Sequence, residues 1–249
     1  MDYLLISPRQ IKVGGSLYDL AVIGGGVAGI FSALTAARHS ARIIIIDPNR
    51  VGNGATLRSA GVVTLQLDET NDVMLVKRSI ELIKEYSRES WRVTGFLQLG
   101  RPDQLQDSIN SMRGARIGFE VLYPSEIESK WPELIVDERF LGIYTRDDLS
   151  IEPSIFIDDC RESLLDAGVE LLEGRGVSSL NIRDGEVNSI ALSDGKEIRA
   201  ERYILSAGAW TREILYRHGI QLMTIIITCY AYRLDLGDDL GLPSFSDEW

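Results

Sequence analysis

Apolar positions along this chain fall into short blocks, and the spacing within each block predicts an element. Leu20-Ala21-Val22-Ile23 is a tight apolar run, Gly24 to Gly29 is glycine-rich, and Ile30 to His39 brings small and apolar residues at helical intervals. That order reads as strand, turn and helix. Arg42 to Asp47 holds four isoleucines in a row, the pattern of a parallel strand covered on both faces, so the segment forms a βαβ unit. Pro48 to Gly61 is a polar loop. From Asn71 to about Thr94, Val73, Val76, Ile80 and Ile83 form a helical stripe that serves packing.

Beyond Gly95 the predicted elements shorten: a strand at Phe96 to Leu99, helices at Asp103 to Arg113 and Ser125 to Trp131, and a strand at Leu141 to Tyr144. Pro153 opens a helix to about Asp166, because its missing N–H costs nothing in the first turn, and Gly168 closes it. Strands follow at Glu170 to Leu172, Gly176 to Ile182, Glu186 to Leu192 and Arg202 to Leu205, with Asp184-Gly185 and Asp194-Gly195 as hairpin turns. Ala209 to His218 reads as a helix and Met223 to Asp235 as β-rich.

Composition narrows the function. The 249 residues carry 37 Asp+Glu against 26 Lys+Arg, a formal charge of −11, with 45% hydrophobic residues. This is an ordinary globular composition, long enough for one large or two modest domains. No Lys/Arg block offers a phosphate backbone a basic face, so nucleic acid is not an expected partner. Cys160 and Cys229 are isolated, and His39 and His218 read as solvated helix-end residues, so neither a metal centre nor a histidine-based triad is expected. No apolar run reaches the length of a membrane span, and the first residues lack a signal-peptide pattern, so a cytoplasmic location is expected.

The sharpest chemical signal is Gly24-x-Gly26-x-x-Gly29 between a strand and a helix, with Asp47 at the end of the next strand, 18 positions after Gly29. Gly24 permits the tight turn, Gly26 lets backbone approach a pyrophosphate, and Gly29 lets helix and strand pack closely. The helix N-terminus offers N–H groups and positive potential to phosphates, and Asp47 is placed to accept from ribose hydroxyls. This pattern in this context predicts dinucleotide binding, with NAD and FAD both open at this point.

Further segments bear on that choice: Gly52 to Gly61 (GNGATLRSAG), Arg202 to Trp210 (RYILSAGAW), and Asp147 to Pro153 (DDLSIEP) followed by Gly168-Val169-Glu170 and Gly176-Val177. With Gly24 to Asp47, these resemble the D-amino-acid oxidase and glycine/sarcosine oxidase family of FAD-dependent oxidoreductases over about residues 18 to 215. The resemblance implies an α/β fold: a doubly wound, glutathione-reductase-like FAD domain (18–95 and 145–219) and a smaller mixed-sheet substrate domain (96–144 and 220–249). It implies that Gly24, Gly26, Val27, Ala28 and Gly29 cradle the FAD pyrophosphate, that Asp47 holds the ribose, and that Pro48 and Asn49 flank the adenine. Thr56 and Arg58 would add donors to the phosphates, and Ser59, Ala60 and Gly61 would lie beside the flavin. Val177 would meet adenine through its backbone, Ala207 and Gly208 would let the chain pass the dinucleotide, and Trp210 would be either a flavin contact or a core residue.

The implied reaction is oxidation of a C–N bond in an amino acid or secondary amine by hydride transfer to flavin, with catalytic residues unassigned. Tyr230, Tyr232 and Arg233 would face either a substrate pocket or the interior of a sheet. Family members continue for another hundred residues or so, which makes the fold incomplete at the C-terminus. The alternative is therefore a truncated or split member with weak or no catalysis. In either case a homo-oligomer, or a partner chain supplying the remaining segment, is expected. A nicotinamide-dependent oxidoreductase is a further rival, against which stands the lack of a second half of alternating βα units.

Overall fold

The computed structural model of the chain describes residues 18–228 and 241–247. In chain order the elements are β1 (Tyr18–Ile23), α1 (Val27–Ala37), β2 (Ile43–Asp47), β3 (Val62–Val63), α2 (Thr70–Tyr86), β4 (Trp91–Val93), β5 (Phe96–Gly100), α3 (Gln106–Gly114), β6 (Glu120–Leu122) and α4 (Pro124–Lys130). There follow β7 (Leu141–Thr145), β8 (Leu149–Ile151), α5 (Pro153–Asp166), β9 (Glu170–Glu173), β10 (Val177–Arg183), β11 (Glu186–Leu192), β12 (Glu197–Ile198), β13 (Ala200–Leu205), a 3-10 turn at Gly208–Trp210, α6 (Thr211–Tyr216) and β14 (Ser244–Asp247). The chain divides into two units, Met1–Val51 with Leu164–Thr224, and Gly52–Ser163 with Ile225–Trp249.

The first unit is built on a parallel sheet of order β13-β1-β2-β9. The isoleucine run pairs on both sides, Ile43 to Ile46 with Leu20 to Ile23, and Ile44 to Ile46 with Glu170 to Leu172. Strand alternation sends Ile44 and Ile46 to one face, where they join Ala21 and Ile23 of β1 and Leu180, Ile190 and Leu192 of the antiparallel β10-β11-β12 sheet in one core. Ile43 and Ile45, buried to 2% and 0% exposure, point to the opposite face. There α1 packs on β1 and β2, burying Gly29, Ile30, Ala33 and Leu34. Burial on both faces is why four isoleucines are used where a half-exposed strand would alternate. The β10–β11 hairpin turns at Asp184 and Gly185, both at positive φ (53° and 79°), as the Asp-Gly pair predicts.

In the second unit, β14 lies parallel to β5, and β5, β7 and β6 run antiparallel, while β3, β8 and β4 form a second, antiparallel sheet. A buried polar knot lies in this unit. The Asp148 carboxylate, 1% exposed, accepts from the Thr64 hydroxyl (2.8 Å), the Thr145 hydroxyl (2.5 Å) and the Leu65 N–H (3.1 Å). Gln66 Nε2 donates to the Phe96 and Ile143 carbonyls and to Thr145 Oγ1. Burial raises the Asp148 pKa above the ordinary carboxylate value against the lowering effect of these bonds. The Asp148 carbonyl also accepts the N–H groups of Thr94 and Gly95. The DDLSIEP acid thus serves the interior of its own unit.

Several expectations need correction. The stripe starting at Asn71 does not continue to Thr94: α2 stops at Tyr86, and Trp91–Val93 is a strand. Ser87 breaks the helix because its backbone is extended and its buried hydroxyl bonds to Asp159 and Ser90. Residues 223–228 form no strand, and the rest of the expected β-rich stretch, with Cys229, Tyr230, Tyr232 and Arg233, lies outside the described residues. The helix expected at Ala209 to His218 is a 3-10 turn plus six residues of α6. His218 is not simply solvated: its Nε2 accepts the Leu180 N–H at 3.0 Å.

Candidate functional site

The carboxyl edge of the parallel sheet in the first unit carries four strand ends in the order β13, β1, β2, β9. The segments that leave them are Ser206–Gly208, Gly24–Gly29, Asp47–Asn49 and Glu173–Val177. Ligands of open α/β sheets bind along such an edge. Most of the sequence-predicted residues are gathered here: Gly24, Gly26, Val27, Ala28, Gly29, Asp47, Pro48, Asn49, Val177, Ala207 and Gly208.

The glycines have separate causes. Gly24 has φ +100°, and a β-carbon there would stand 2.5 Å from the Ser206 carbonyl oxygen and 2.8 Å from Ala207 Cα, so Ala207 runs directly against the turn. A β-carbon at Gly29 would lie 2.0 Å from the Gly24 carbonyl oxygen. Gly25, a free position in the sequence pattern, is also required: a β-carbon would meet Val51 Cγ2 at 2.8 Å. Gly26 sits at the N-cap of α1 with ordinary extended backbone (φ −73°, ψ −179°).

Gly26 supplies no side-chain cap, the first turn holds no acidic residue, and the first N–H to bond back within the helix is that of Ile30, to the Gly26 carbonyl at 2.9 Å. The helix therefore presents its positive end here without a capping side chain from Gly26. Val27 and Ala28 are exposed at this mouth and Gly29 is buried behind it. Ser206 locks the neighbouring strand end in place: its hydroxyl donates to the Gly24 carbonyl (2.8 Å) or the Ile23 carbonyl (3.1 Å), and its N–H donates to the latter at 2.8 Å.

Asp47 orders the edge from within. Its Oδ2 accepts the Gly25 N–H and its Oδ1 the Asn49 N–H, both at 2.8 Å. Each oxygen keeps a second lone pair that a hydroxyl donor could reach. Beside it, the Arg175 N–H donates to the Asp47 carbonyl at 3.2 Å, and Gly176 lies over Pro48, whose Cβ would be 3.5 Å from an added β-carbon. Pro48, Gly176 and Val177 are thus brought together by the β2–β9 pairing. At the opposite, amino edge of the sheet, Tyr18 donates to Glu170 at 2.6 Å, and burial with the adjacent Glu170 carboxylate pushes its phenol up to about 12.

Thr56, Arg58, Ser59, Ala60 and Gly61 belong to the second unit. There Arg58 Nη1 donates to the carbonyls of Asn53 (2.8 Å) and Gly54 (2.9 Å), folding its loop, and the Ser59 hydroxyl donates to the Thr56 carbonyl. Gly61, at φ +73°, abuts the Ile151 carbonyl, which an added β-carbon would approach to 2.0 Å, so strand packing already requires glycine there. Trp210 is 63% exposed, which removes the core reading. Among the described residues no cluster of His, Cys, Asp and Glu could hold a metal, and no helix is long and apolar enough to cross a membrane. Glu173, which bonds to the Val51 N–H, escaped the sequence reading because a glutamate at a strand end carries no spacing signal.

Solved structures share this fold, and a family model matches the sequence. A family model described as FAD dependent oxidoreductase matches residues 19–245. The N-methyl-L-tryptophan oxidase of Citrobacter koseri is 24% identical over 240 residues, covering 93% of this chain and 64% of that protein, and that of Escherichia coli K12 is 24% identical over 241 residues with the same coverage. The chain thus spans a little under two thirds of these curated relatives. Among solved structures, L-proline dehydrogenase from P. horikoshii superposes with a TM-score of 0.75 at 24% identity, over 82% of this chain and 56% of that one. Glycine oxidase from Geobacillus kaustophilus superposes with a TM-score of 0.70 at 21% identity, over 82% and 59%.

Proposed function

Because the chain belongs to the FAD dependent oxidoreductase family, we propose that it binds FAD along the carboxyl edge of its parallel sheet and oxidises the C–N bond of an amino acid or secondary amine. The observation that carries the binding step is the α1 N-terminus, with no side-chain cap and no acid in its first turn, behind a glycine turn that β-carbons would block. The pyrophosphate would rest on the backbone of Gly24, Gly26, Val27, Ala28 and Gly29. Asp47 would receive ribose hydroxyls on its remaining lone pairs, and Pro48, Asn49 and Val177 would border the adenine. Ala207 and Gly208 would form the opposite wall, with Trp210 beyond them.

From the second unit, Thr56 and Arg58 would add donors to the phosphates; Arg58 keeps Nε and Nη2 for this while Nη1 holds its loop. Ser59, Ala60 and Gly61 would lie beside the flavin. In the same reading, residues 18–95 and 145–219 serve the cofactor, and 96–144 and 220–249 serve the substrate. The bound flavin would supply the hydride acceptor, and the protein supplies orientation and electrostatics. The relatives' names, which specify N-methyl-L-tryptophan, L-proline and glycine, support this substrate class.

The test is the visible spectrum of the purified chain before and after adding FAD, followed by anaerobic addition of amino acids. A flavin spectrum that bleaches with an amino acid or secondary amine is expected. A chain that stays colourless with excess FAD overturns the proposal. A second reading, association with another copy or a partner chain, is favoured by the exposure of Met223 (99%), Ile225 (88%) and Ile227 (79%). Light scattering that shows a monomer at high concentration refutes it.

A further inference from the structure

Glu173 closes β9, directly opposite Asp47 in the parallel β2–β9 register. Its Oε1 accepts the N–H of Val51 at 2.6 Å, a bond spanning 122 positions of sequence. Charge-assisted bonds of this kind are among the stronger ones a strand end can make. The intervening Pro48, Asn49 and Arg50 are exposed, whereas Val51 is fully buried. The Val51 isopropyl group lies where a β-carbon on Gly25 would come within 2.8 Å of Cγ2 and 3.2 Å of Cγ1. Gly25 therefore has two supports, the Asp47 carboxylate on its N–H and the Val51 side chain against its Cα, and the second is held by Glu173.

We propose that Glu173 is a positioning residue for the phosphate-binding turn: its carboxylate fixes Val51, Val51 fixes Gly25, and the first-turn amides of α1 are set for an anion before one arrives. The functional consequence rests on the FAD-binding reading above; the mechanical link does not. A turn ordered in advance removes part of the entropic cost of binding. Glu173 needs no contact with the dinucleotide for this, so an uncharged acceptor at the same position keeps most of the effect.

The test compares Glu173→Ala, Glu173→Gln and Val51→Ala by two readouts. The first is amide hydrogen exchange at Gly25 in the FAD-free chain, taken relative to Gly24, whose N–H is held by the Ile46 carbonyl and not by this link. General destabilisation raises both rates and leaves the ratio unchanged. The second is the FAD dissociation constant from flavin fluorescence quenching. Loss of a bond to a charged group predicts about a tenfold rise in the exchange ratio and about a tenfold weaker FAD for Glu173→Ala. Glu173→Gln, whose amide oxygen still accepts from Val51, stays within about threefold of wild type. Val51→Ala moves both readouts in the same direction, and the Glu173→Ala/Val51→Ala pair is no worse than Glu173→Ala alone, because the link is already broken.

An unchanged ratio and an unchanged dissociation constant in Glu173→Ala overturn the inference. So does damage in Glu173→Gln equal to that in Glu173→Ala, which would assign the effect to charge. If wild type binds no FAD, the proposed function fails and the exchange ratio still decides this inference. If Glu173→Ala does not fold, Val51→Ala decides it on both readouts, and no change there overturns it.

Discussion

Gly29→Ala tests the steric reading of the glycine turn without any ligand. The added β-carbon would stand 2.0 Å from the Gly24 carbonyl oxygen and 2.8 Å from Ser206 Oγ. Opening the first distance to the 3.4 Å of an ordinary contact moves α1 away from the turn by about 1.4 Å. The second contact presses on the hydroxyl that bonds to the Gly24 carbonyl at 2.8 Å. The first neighbour is backbone and the second, Ser206 Oγ, is held on the Ile23 and Gly24 carbonyls, so the strain falls on the β1–α1 junction and on its attachment to β13. Overpacking at such a site costs roughly 1–3 kcal/mol, and losing the Ser206 bond adds about 1 kcal/mol. The expected loss of unfolding free energy is therefore about 2–4 kcal/mol. Urea denaturation followed by circular dichroism measures it, with Gly54→Ala as the control, since Gly54 has no atom within 4 Å of an added β-carbon and no positive φ. A Gly29→Ala chain as stable as the Gly54→Ala chain, within about 0.5 kcal/mol, would refute the close-packing argument.

Three other outcomes follow from the same structure. The Asp148 carboxyl has a raised pKa in the folded chain, so between the unfolded value near 3.8 and the higher folded value the native state binds more protons, and its contribution to stability falls as pH rises. Asp148→Asn, which mimics the protonated form, should gain stability relative to wild type as pH rises from about 3.5 to 7 in urea titrations; a pH-independent difference contradicts this. Cys160 is fully buried, and burial with the Asp159 charge pushes its thiol up to about 12, so its peptide should stay unalkylated by iodoacetamide at pH 8 until urea is added. Labelling at the unfolded rate under native conditions counts against that burial. Ser206→Ala, which removes the bond from β13 to the Gly24 carbonyl, should cost about 1 kcal/mol of stability and weaken FAD binding by a few-fold, measured by fluorescence quenching; unchanged affinity would mean the turn holds its shape without it.

What was legible in the sequence was local. The isoleucine run announced a strand covered on both faces, Pro153 and Gly168 bracketed α5, and Asp184-Gly185 marked its hairpin, because each depends on side-chain periodicity or on the φ preference of one or two residues. The glycine fingerprint and Asp47 were legible for the same reason, since a strand, a tight turn and a helix within thirty residues leave little freedom in where the acid falls. The point where α2 stops was not legible, because Ser87 leaves the helix for a partner, Asp159, that lies 72 positions away. The contrast between Gly25, held clear by Val51, and Gly54, with open space around it, cannot be read from a letter that is the same at both positions.

The sequence by itself determined the βαβ unit, the chemistry available at its glycine turn, and the resemblance that pointed to FAD. Only the tertiary structure decided what surrounds those residues. It placed Ser206 and Ala207 against Gly24 across more than 180 positions, set Glu173 on Val51, turned the Asp148 acid into an interior anchor, gave His218 a backbone partner and left Trp210 exposed. The physical reason is that periodicity reports which face of an element is buried, whereas hydrogen-bond partners and β-carbon clearances depend on which distant strand folding brings alongside.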